Sequence, residues 1–307
     1  MTPKEEQDSN RSNRMNTSKE KISRIFLIRH GDRYDYANPS WLVQAKRHGA
    51  LITDPPLSPL GYKQARETAD RLVSVLKERS TSSTSTSSSE TVAKILVSPY
   101  LRVLQTASPL SDALDVPLSI EGGLSEAHVT PGVLPSASTR FAYFPQVDPS
   151  YESMMDVAPT PGFACPKTGH PCEAFAGRYV QRMERFARVL EETYDGETVV
   201  CYSHAASTAL VAALLRCSMR DLKFAPCGIY ELVKHHADQP WKLVTDGGTN
   251  ECHVTENSPT TYPWGYGEEH FQEEKATTTE GATAPGNYFG SSERIGLEYF
   301  VRRNPKE

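Results

Sequence analysis

The sequence predicts an α/β protein, a three-layer sandwich in which a mostly parallel central sheet has helices on both faces. Three apolar runs typical of buried strands, residues 24–28, 92–97 and 198–202, alternate with segments whose apolar residues repeat at helical spacing. This alternation favours parallel strands connected by helices. Arginine or histidine follows each run, so we expect a binding site at the carboxyl ends of the strands.

Composition limits the classes of function. The chain has 307 residues, 38% of them hydrophobic, which is enough for one large domain or two modest ones. Its formal net charge of −5 argues against a general nucleic-acid-binding protein, because such proteins are basic. Six cysteines are sparse and not spaced as a disulfide framework. With no secretory signal and no membrane-spanning run, we expect a cytoplasmic protein, although a nuclear location also fits.

Composition also suggests the domain boundaries. Residues 1–22 contain too little apolar surface to offset the entropy of ordering, and predict a disordered tail. The folded domain is expected over 23–250, with a flexible Ser/Thr-rich loop at 80–90. Within it, residues 128–171 are rich in Pro, Ser, Gly and aromatic residues and predict a long loop that covers the site. Residues 251–307 predict a largely disordered carboxy-terminal tail.

The first strand ends in a basic motif: Arg29, His30, Gly31, Asp32 and Arg33. The planar guanidinium of arginine matches phosphate oxygens bidentately, so this strand end suits an anion, and phosphate in particular. The alternative is a strand that leaves a basic cluster in solvent. An aromatic loop over residues 34–41 follows, which could line a pocket or pack against the next helix.

The next helix and strand continue the pattern. Ser58 and Pro59 are typical of the N-cap and first residue of a helix. Its apolar positions repeat at helical spacing: Ala65, Ala69, Leu72 and Leu76. The strand at 92–97 then leads into a helix with Arg102 in its first turn. Because the amino-terminal end of a helix carries partial positive charge, an arginine there is unfavourable unless it binds an anion.

The second half of the domain adds a carboxylate and another histidine. A short strand at 118–120 leads to Glu126, and the strand at 198–202 ends at His204, before an apolar helix that runs to Leu215. The remaining predicted elements are a helix over 173–194 and an edge hairpin made of residues 228–233 and 241–244. Taken singly, a histidine, arginine or glutamate has an ordinary structural use. Together, these residues favour one functional site, because the βα alternation places their loops on one side of the sheet.

Five segments resemble the histidine phosphatase (phosphoglycerate mutase-like) superfamily: 27–32, 57–61, 97–107, 123–126 and 203–205. The resemblance spans residues 24–245 and implies a phosphoglycerate mutase-like sandwich. Within the superfamily, the chain is most similar to the branch that holds the Sts tyrosine phosphatases and the ecdysteroid-phosphate phosphatases. The features shared with that branch are Arg33, the Leu-Ser-Glu sequence at 124–126 and the Ser-His-Ala sequence at 203–205.

The resemblance implies three catalytic residues, namely His30, Glu126 and His204. His30 attacks phosphorus and is transiently phosphorylated, which splits a difficult hydrolysis into two easier steps. Glu126 protonates the leaving oxygen and then takes a proton from the attacking water, so it must begin protonated. Asp32 stands where the superfamily more often has glutamate, and no role is carried over to it.

Phosphate binding is assigned, by the same resemblance, to Arg29, Arg33, Arg102 and His204. These groups hold the phosphoryl oxygens and stabilise the charge of the transition state. Neither a metal nor a cofactor is implied, because the guanidinium groups perform the electrostatic work of a metal ion.

The leading functional hypothesis is therefore a phosphomonoester hydrolase. Its substrate is expected to be a phosphotyrosine, a steroid phosphate or a small-molecule phosphoester. A phosphoglycerate mutase is one alternative, and a non-catalytic subunit that binds phospho-ligands or joins an assembly is another. Nucleic acid and membranes are not expected partners, and a homodimer is compatible with the sequence.

Overall fold

The computed structural model describes residues 22–48, 50–52, 54–82, 91–126, 136–155 and 176–257. In this part of the chain the strands are β1 (Ser23–Arg29), β2 (Val92–Val97), β3 (Leu118–Ile120), β4 (Thr198–Ser203), β5 (Ile229–Lys234) and β6 (Lys242–Thr245). The helices are α1 (Tyr34–Ala37), α2 (Trp41–His48), α3 (Pro59–Ser82), α4 (Leu101–Leu114), α5 (Ala137–Phe141), α6 (Ala176–Thr193) and α7 (Thr208–Leu215). No described helix is both long and apolar enough to cross a membrane.

The six strands form one sheet in the order β3-β2-β4-β1-β5-β6. The pairs β1–β4, β2–β4 and β2–β3 are parallel, whereas β1–β5 and β5–β6 are antiparallel. The predicted hairpin is confirmed, with β6 at the edge and β5 between β6 and β1. The sheet is thus mixed, with its parallel part built from the strands that carry the predicted site.

Helices cover both faces of the sheet, which confirms the predicted α/β sandwich. Phe26 and Ile28 of β1 belong to the core beneath α3 and α4, whereas Ile25 and Leu27 belong to the core beneath α6 and α7. Successive side chains of a strand point to opposite faces, so a strand covered on both sides must be apolar throughout. This requirement explains the uninterrupted apolar run of β1.

The structure corrects the prediction for the segment after the first strand. Residues 34–41 were expected to form a loop, but residues 34–37 form α1 and residue 41 begins α2, with only residues 38–40 between the two helices. Trp41 is 5% exposed and donates its indole N–H to the carbonyl oxygen of Ile52 at 2.9 Å. The ring of Tyr34 packs edge-on against it, with 6.0 Å between ring centroids. The sequence left open whether these aromatic residues line a pocket or serve packing. Tyr34 and Trp41 serve packing.

Two predicted boundaries also differ. Helix α3 continues through Ser82, so the Ser/Thr-rich loop begins later than residue 80, and residues 83–90 lie outside the described part. Residues 251–257 are described and contact α3, where the Glu67 carboxylate accepts from the Thr255 amide at 3.0 Å. Residues 1–21 and 258–307 of the predicted tails lie outside the described residues, as do residues 128–135 and 156–171 of the predicted covering loop. The described part of that loop, residues 136–155, contains α5 and is therefore not a loop throughout.

Candidate active site

The carboxyl ends of β1 and β4 bring the two predicted histidines together. The two strands are parallel and in register, and the His30 amide donates to the Ser203 carbonyl at 3.0 Å. The His30 and His204 ring centroids are 5.4 Å apart, at an interplanar angle of 67°. Both side chains are buried, with 3% and 0% exposure. The fold thus brings two rings into contact that are 174 positions apart in the sequence.

The hydrogen bonding of His30 defines its tautomer. Its Nδ1 lies 2.8 Å from the carbonyl oxygen of Gly31, which can only accept, so Nδ1 carries the proton. Nε2 is therefore the ring nitrogen that keeps a lone pair. Burial lowers the pKa of His30 well below its ordinary value, and the positive charges of Arg102, Arg29 and Arg33 lower it further. The ring is thus held neutral, which is the form a nucleophile needs.

The turn after His30 is fixed against the start of α3. A Cβ on Gly31 would lie 2.8 Å from the carbonyl oxygen of Gly61, so only glycine fits there. Ser58 caps α3 by accepting from the Gly61 amide at 3.0 Å, as predicted, and its hydroxyl donates to the Asp32 carboxylate at 2.5 Å. The Asp32 amide donates to the Gln64 side chain at 2.9 Å. The carboxylate of Asp32 therefore joins β1 to α3.

His204 is held by contacts on both ring nitrogens. Its Nε2 lies 2.8 Å from the hydroxyl of Ser98, and its Nδ1 lies 3.1 Å from a terminal nitrogen of Arg102. A guanidinium only donates, so a hydrogen bond from Arg102 uses the lone pair of Nδ1 and leaves the proton on Nε2, facing Ser98. Burial, followed by the charge of Arg102, lowers the pKa of His204 well below its ordinary value. A neutral His204 thus orients Arg102.

Arg102 lies in the first turn of α4, as predicted, and is 1% exposed. Its guanidinium stacks 4.3 Å above the ring of Tyr100, and one terminal nitrogen lies 3.6 Å from a carboxylate oxygen of Glu126. Nε and the other terminal nitrogen are buried with no hydrogen-bond partner among the described residues. Buried donors left unpaired are costly, so these two nitrogens are suited to donate to an incoming anion.

Arg29 and Arg33 differ in how far they are engaged. Arg29 donates to the carbonyl oxygen of Phe224, while its buried Nε has no described partner, and burial lowers its pKa to about 10. Arg33 donates to both carboxylate oxygens of Asp35, at 3.0 and 2.7 Å, and to the hydroxyl of Tyr36 at 2.8 Å. Phosphate binding by Arg33 stays a prediction, because Arg33 would have to give up hydrogen bonds to Asp35 or Tyr36 in order to donate to phosphate.

Glu126 reaches the histidines from the turn after β3. Its carboxylate lies 3.3 Å from Nδ1 of His204. The backbone of this turn is held by Arg182 of α6, which donates to the carbonyl oxygens of Gly123 at 2.6 Å and Ser125 at 3.0 Å. The predicted Glu126 is therefore beside the other site residues, and a buried arginine fixes its loop.

Several supporting residues were not predicted from the sequence. They are Ser98, Arg182, and Asp54 and Arg140, which form a buried ion pair. Arg182 carried a usable signal, because it lies three positions after Tyr179 on the apolar face of α6, where a charge is unexpected. The other residues acquire their partners only through the tertiary fold.

A family model described as histidine phosphatase superfamily (branch 1) matches residues 25–247. No curated protein sequence matches the chain.

Solved structures give a second comparison. The chain is similar to the ecdysone phosphate phosphatase of Bombix mori in complex with tungstate, at 18% identity and a TM-score of 0.50, covering 79% of this chain and 98% of that one. A phosphoserine phosphatase mutant from Entamoeba histolytica in complex with phosphoserine is 18% identical, with a TM-score of 0.44, covering 73% of this chain and 96% of that one. At such low identity, the similarity to the Bombix mori protein shows a common fold.

Proposed function

The chain belongs to the histidine phosphatase superfamily, and from this premise we propose that it is a phosphomonoester hydrolase that forms a phosphohistidine on His30. Membership of the superfamily supports phosphatase or phosphoryl-transfer activity. The observation that carries the finer proposal is the state of His30. Its ring is neutral, its Nε2 keeps the lone pair, and the charges of Arg102, Arg29 and Arg33 act on it.

The proposed reaction has two steps. In the first, the Nε2 lone pair of His30 forms a bond to phosphorus, the bond to the leaving oxygen breaks, and Glu126 gives that oxygen a proton. In the second, water attacks phosphorus, Glu126 takes the proton of the water, and the N–P bond breaks to restore His30. Arg29 and Arg102 stabilise the charge on the phosphoryl oxygens in both steps.

Release of inorganic phosphate from phosphomonoesters tests this proposal. We expect the purified chain to hydrolyse p-nitrophenyl phosphate, and a panel of phosphotyrosine, steroid phosphates and small metabolites then ranks the substrate classes. Steroid phosphates are included because the Bombix mori structural neighbour is an ecdysone phosphate phosphatase. Interconversion of 2- and 3-phosphoglycerate without phosphate release would indicate a mutase. A stoichiometric complex with no detectable turnover would favour a non-catalytic subunit.

Replacing Glu126 by glutamine is expected to affect poor leaving groups most. An alkoxide needs protonation as it departs, so kcat/KM for an alkyl phosphate should fall by about 10²- to 10⁴-fold. The value for p-nitrophenyl phosphate should fall far less, because p-nitrophenolate is a stable anion. Steady-state kinetics on the two substrates measures this difference.

Glu184→Gln is the matched control for that variant, because Glu184 lies on the exposed face of α6. It should behave like the wild-type protein on both substrates. An equal loss on both substrates in Glu126→Gln would contradict the assignment of Glu126 as the general acid.

A further inference from the structure

A buried ion pair lies behind Arg102, formed by Asp54 and Arg140. We propose that Arg140 is a positioning residue: it holds the Asp54 carboxylate away from Arg102, so that the Arg102 guanidinium stays available to the phosphoryl group. This inference rests on the proposed function, because it concerns how the same site binds phosphate.

The Asp54 carboxylate lies between two arginines but bonds to only one of them. One of its oxygens, Oδ2, accepts from a terminal nitrogen of Arg140. Its other oxygen, Oδ1, lies 4.0 Å from a terminal nitrogen of Arg102, beyond hydrogen-bond distance. Asp54, Arg140 and Arg102 are 4%, 0% and 1% exposed. Because solvent is excluded, the protein alone decides that the Asp54 carboxylate bonds to Arg140 and not to Arg102.

Oδ1 of Asp54 is occupied in another way. It accepts from the backbone amide of Leu101 at 2.7 Å, which is the first amide of α4. A carboxylate is favourable there because the amino-terminal end of a helix carries partial positive charge. Asp54 thus fixes the turn that carries Arg102 through the backbone. With Oδ1 bound to this amide and Oδ2 to Arg140, Asp54 makes no hydrogen bond to the Arg102 side chain, whose Nε and one terminal nitrogen keep no hydrogen-bond partner among the described residues.

Arg140 is well placed to hold this arrangement. It belongs to α5, which Ser136 caps by accepting from the Thr139 amide at 3.3 Å. The same terminal nitrogen that binds Asp54 also donates to the carbonyl oxygen of Pro99 at 3.0 Å, in the connection between β2 and α4. Loss of this guanidinium would leave a buried carboxylate with an unmet acceptor a few ångströms from Arg102. In a buried site the nearest arginine would take up that bond.

Substitution of Arg140 by glutamine tests the idea. The freed Asp54 carboxylate should pair with Arg102, so we expect the Kd for inorganic phosphate and the KM for p-nitrophenyl phosphate to rise about tenfold, the scale of one hydrogen bond to a charged group. Arg140→Lys, which keeps the positive charge, should recover most of this affinity. Isothermal titration with inorganic phosphate measures binding without turnover.

The double variant separates positioning from a general structural role. Asparagine at position 54 keeps an acceptor for the Leu101 amide but removes the charge that would trap Arg102. In Asp54→Asn/Arg140→Gln, phosphate affinity should therefore return to near the wild-type value, although two buried groups have been changed.

Unchanged affinity in Arg140→Gln, or a double variant that binds phosphate no more tightly than Arg140→Gln, would overturn this inference. If Arg140→Gln does not fold, as judged by thermal unfolding, the folded double variant alone decides, because it must bind phosphate like the wild-type protein. A wild-type protein that neither binds nor releases phosphate would instead contradict the proposed function.

Discussion

Replacement of His30 by alanine is expected to lower kcat for p-nitrophenyl phosphate by on the order of 10⁴-fold or more, because the variant lacks the atom that bonds to phosphorus. The Nδ1 hydrogen bond to Gly31 directs the lone pair of the wild-type ring to Nε2, and no other described residue duplicates that arrangement beside Arg102. Continuous measurement of p-nitrophenolate release detects the loss. Binding of inorganic phosphate should persist, since the guanidinium groups remain.

His235→Ala is the matched control for this variant, because His235 is exposed on the β5–β6 hairpin. It should retain full activity. A covalent adduct provides a second readout: rapid quenching of the wild-type reaction in base should trap a phosphoprotein that is labile to acid, as a phosphoramidate is, and His30→Ala should trap none. Near wild-type turnover in His30→Ala would remove the proposed mechanism.

Sequence patterns were sufficient for elements whose residues are constrained locally. β1 was recognisable because burial on both faces demands an uninterrupted apolar run. The start of α3 was recognisable because Ser58 and Pro59 fit the capping geometry of a helix. Arg102 was singled out because a positive charge in the first turn of a helix needs an anion to offset the helix dipole. Each of these inferences used the chemistry of one short segment.

Other features depend on partners that are remote in sequence. Asp54 and Arg140 are 86 positions apart, so no local pattern could pair them. The four-residue helix α1 is too short to show a helical period, and for this reason its segment was taken for a loop. The hydrogen bonds between Arg33 and Asp35 could have been predicted from the sequence, because the two residues are only two positions apart. The resemblance to phosphatases directed attention to phosphate and away from that carboxylate.

Replacement of Arg102 by alanine is the other large effect we expect, a loss of about 10³- to 10⁵-fold in kcat/KM, the range seen when an arginine that stabilises a transferring phosphoryl group is absent. Two of its donor atoms are buried and have no hydrogen-bond partner among the described residues. They are therefore oriented before the substrate binds and can stabilise the negative charge of the phosphoryl group in the transition state. Arg102→Lys should recover little, because an ammonium cannot reproduce the planar fork that also contacts His204. Arg185→Ala, on the exposed face of α6, is the matched control.

The same variant should also change the pH dependence of the reaction, in a direction fixed by electrostatics. The positive charge of Arg102 lowers the pKa of His30, in addition to the larger effect of burial. Its removal must raise that pKa, so protonation of His30 begins at a higher pH and the acid limb of the kcat/KM profile should shift upward. If the substitution only disturbed the structure of the site, kcat/KM would fall by the same factor at every pH and the acid limb would stay at the same pH. An acid limb in Arg102→Ala at the wild-type position would therefore show that the guanidinium does not act on the nucleophile, whatever the size of the loss in rate.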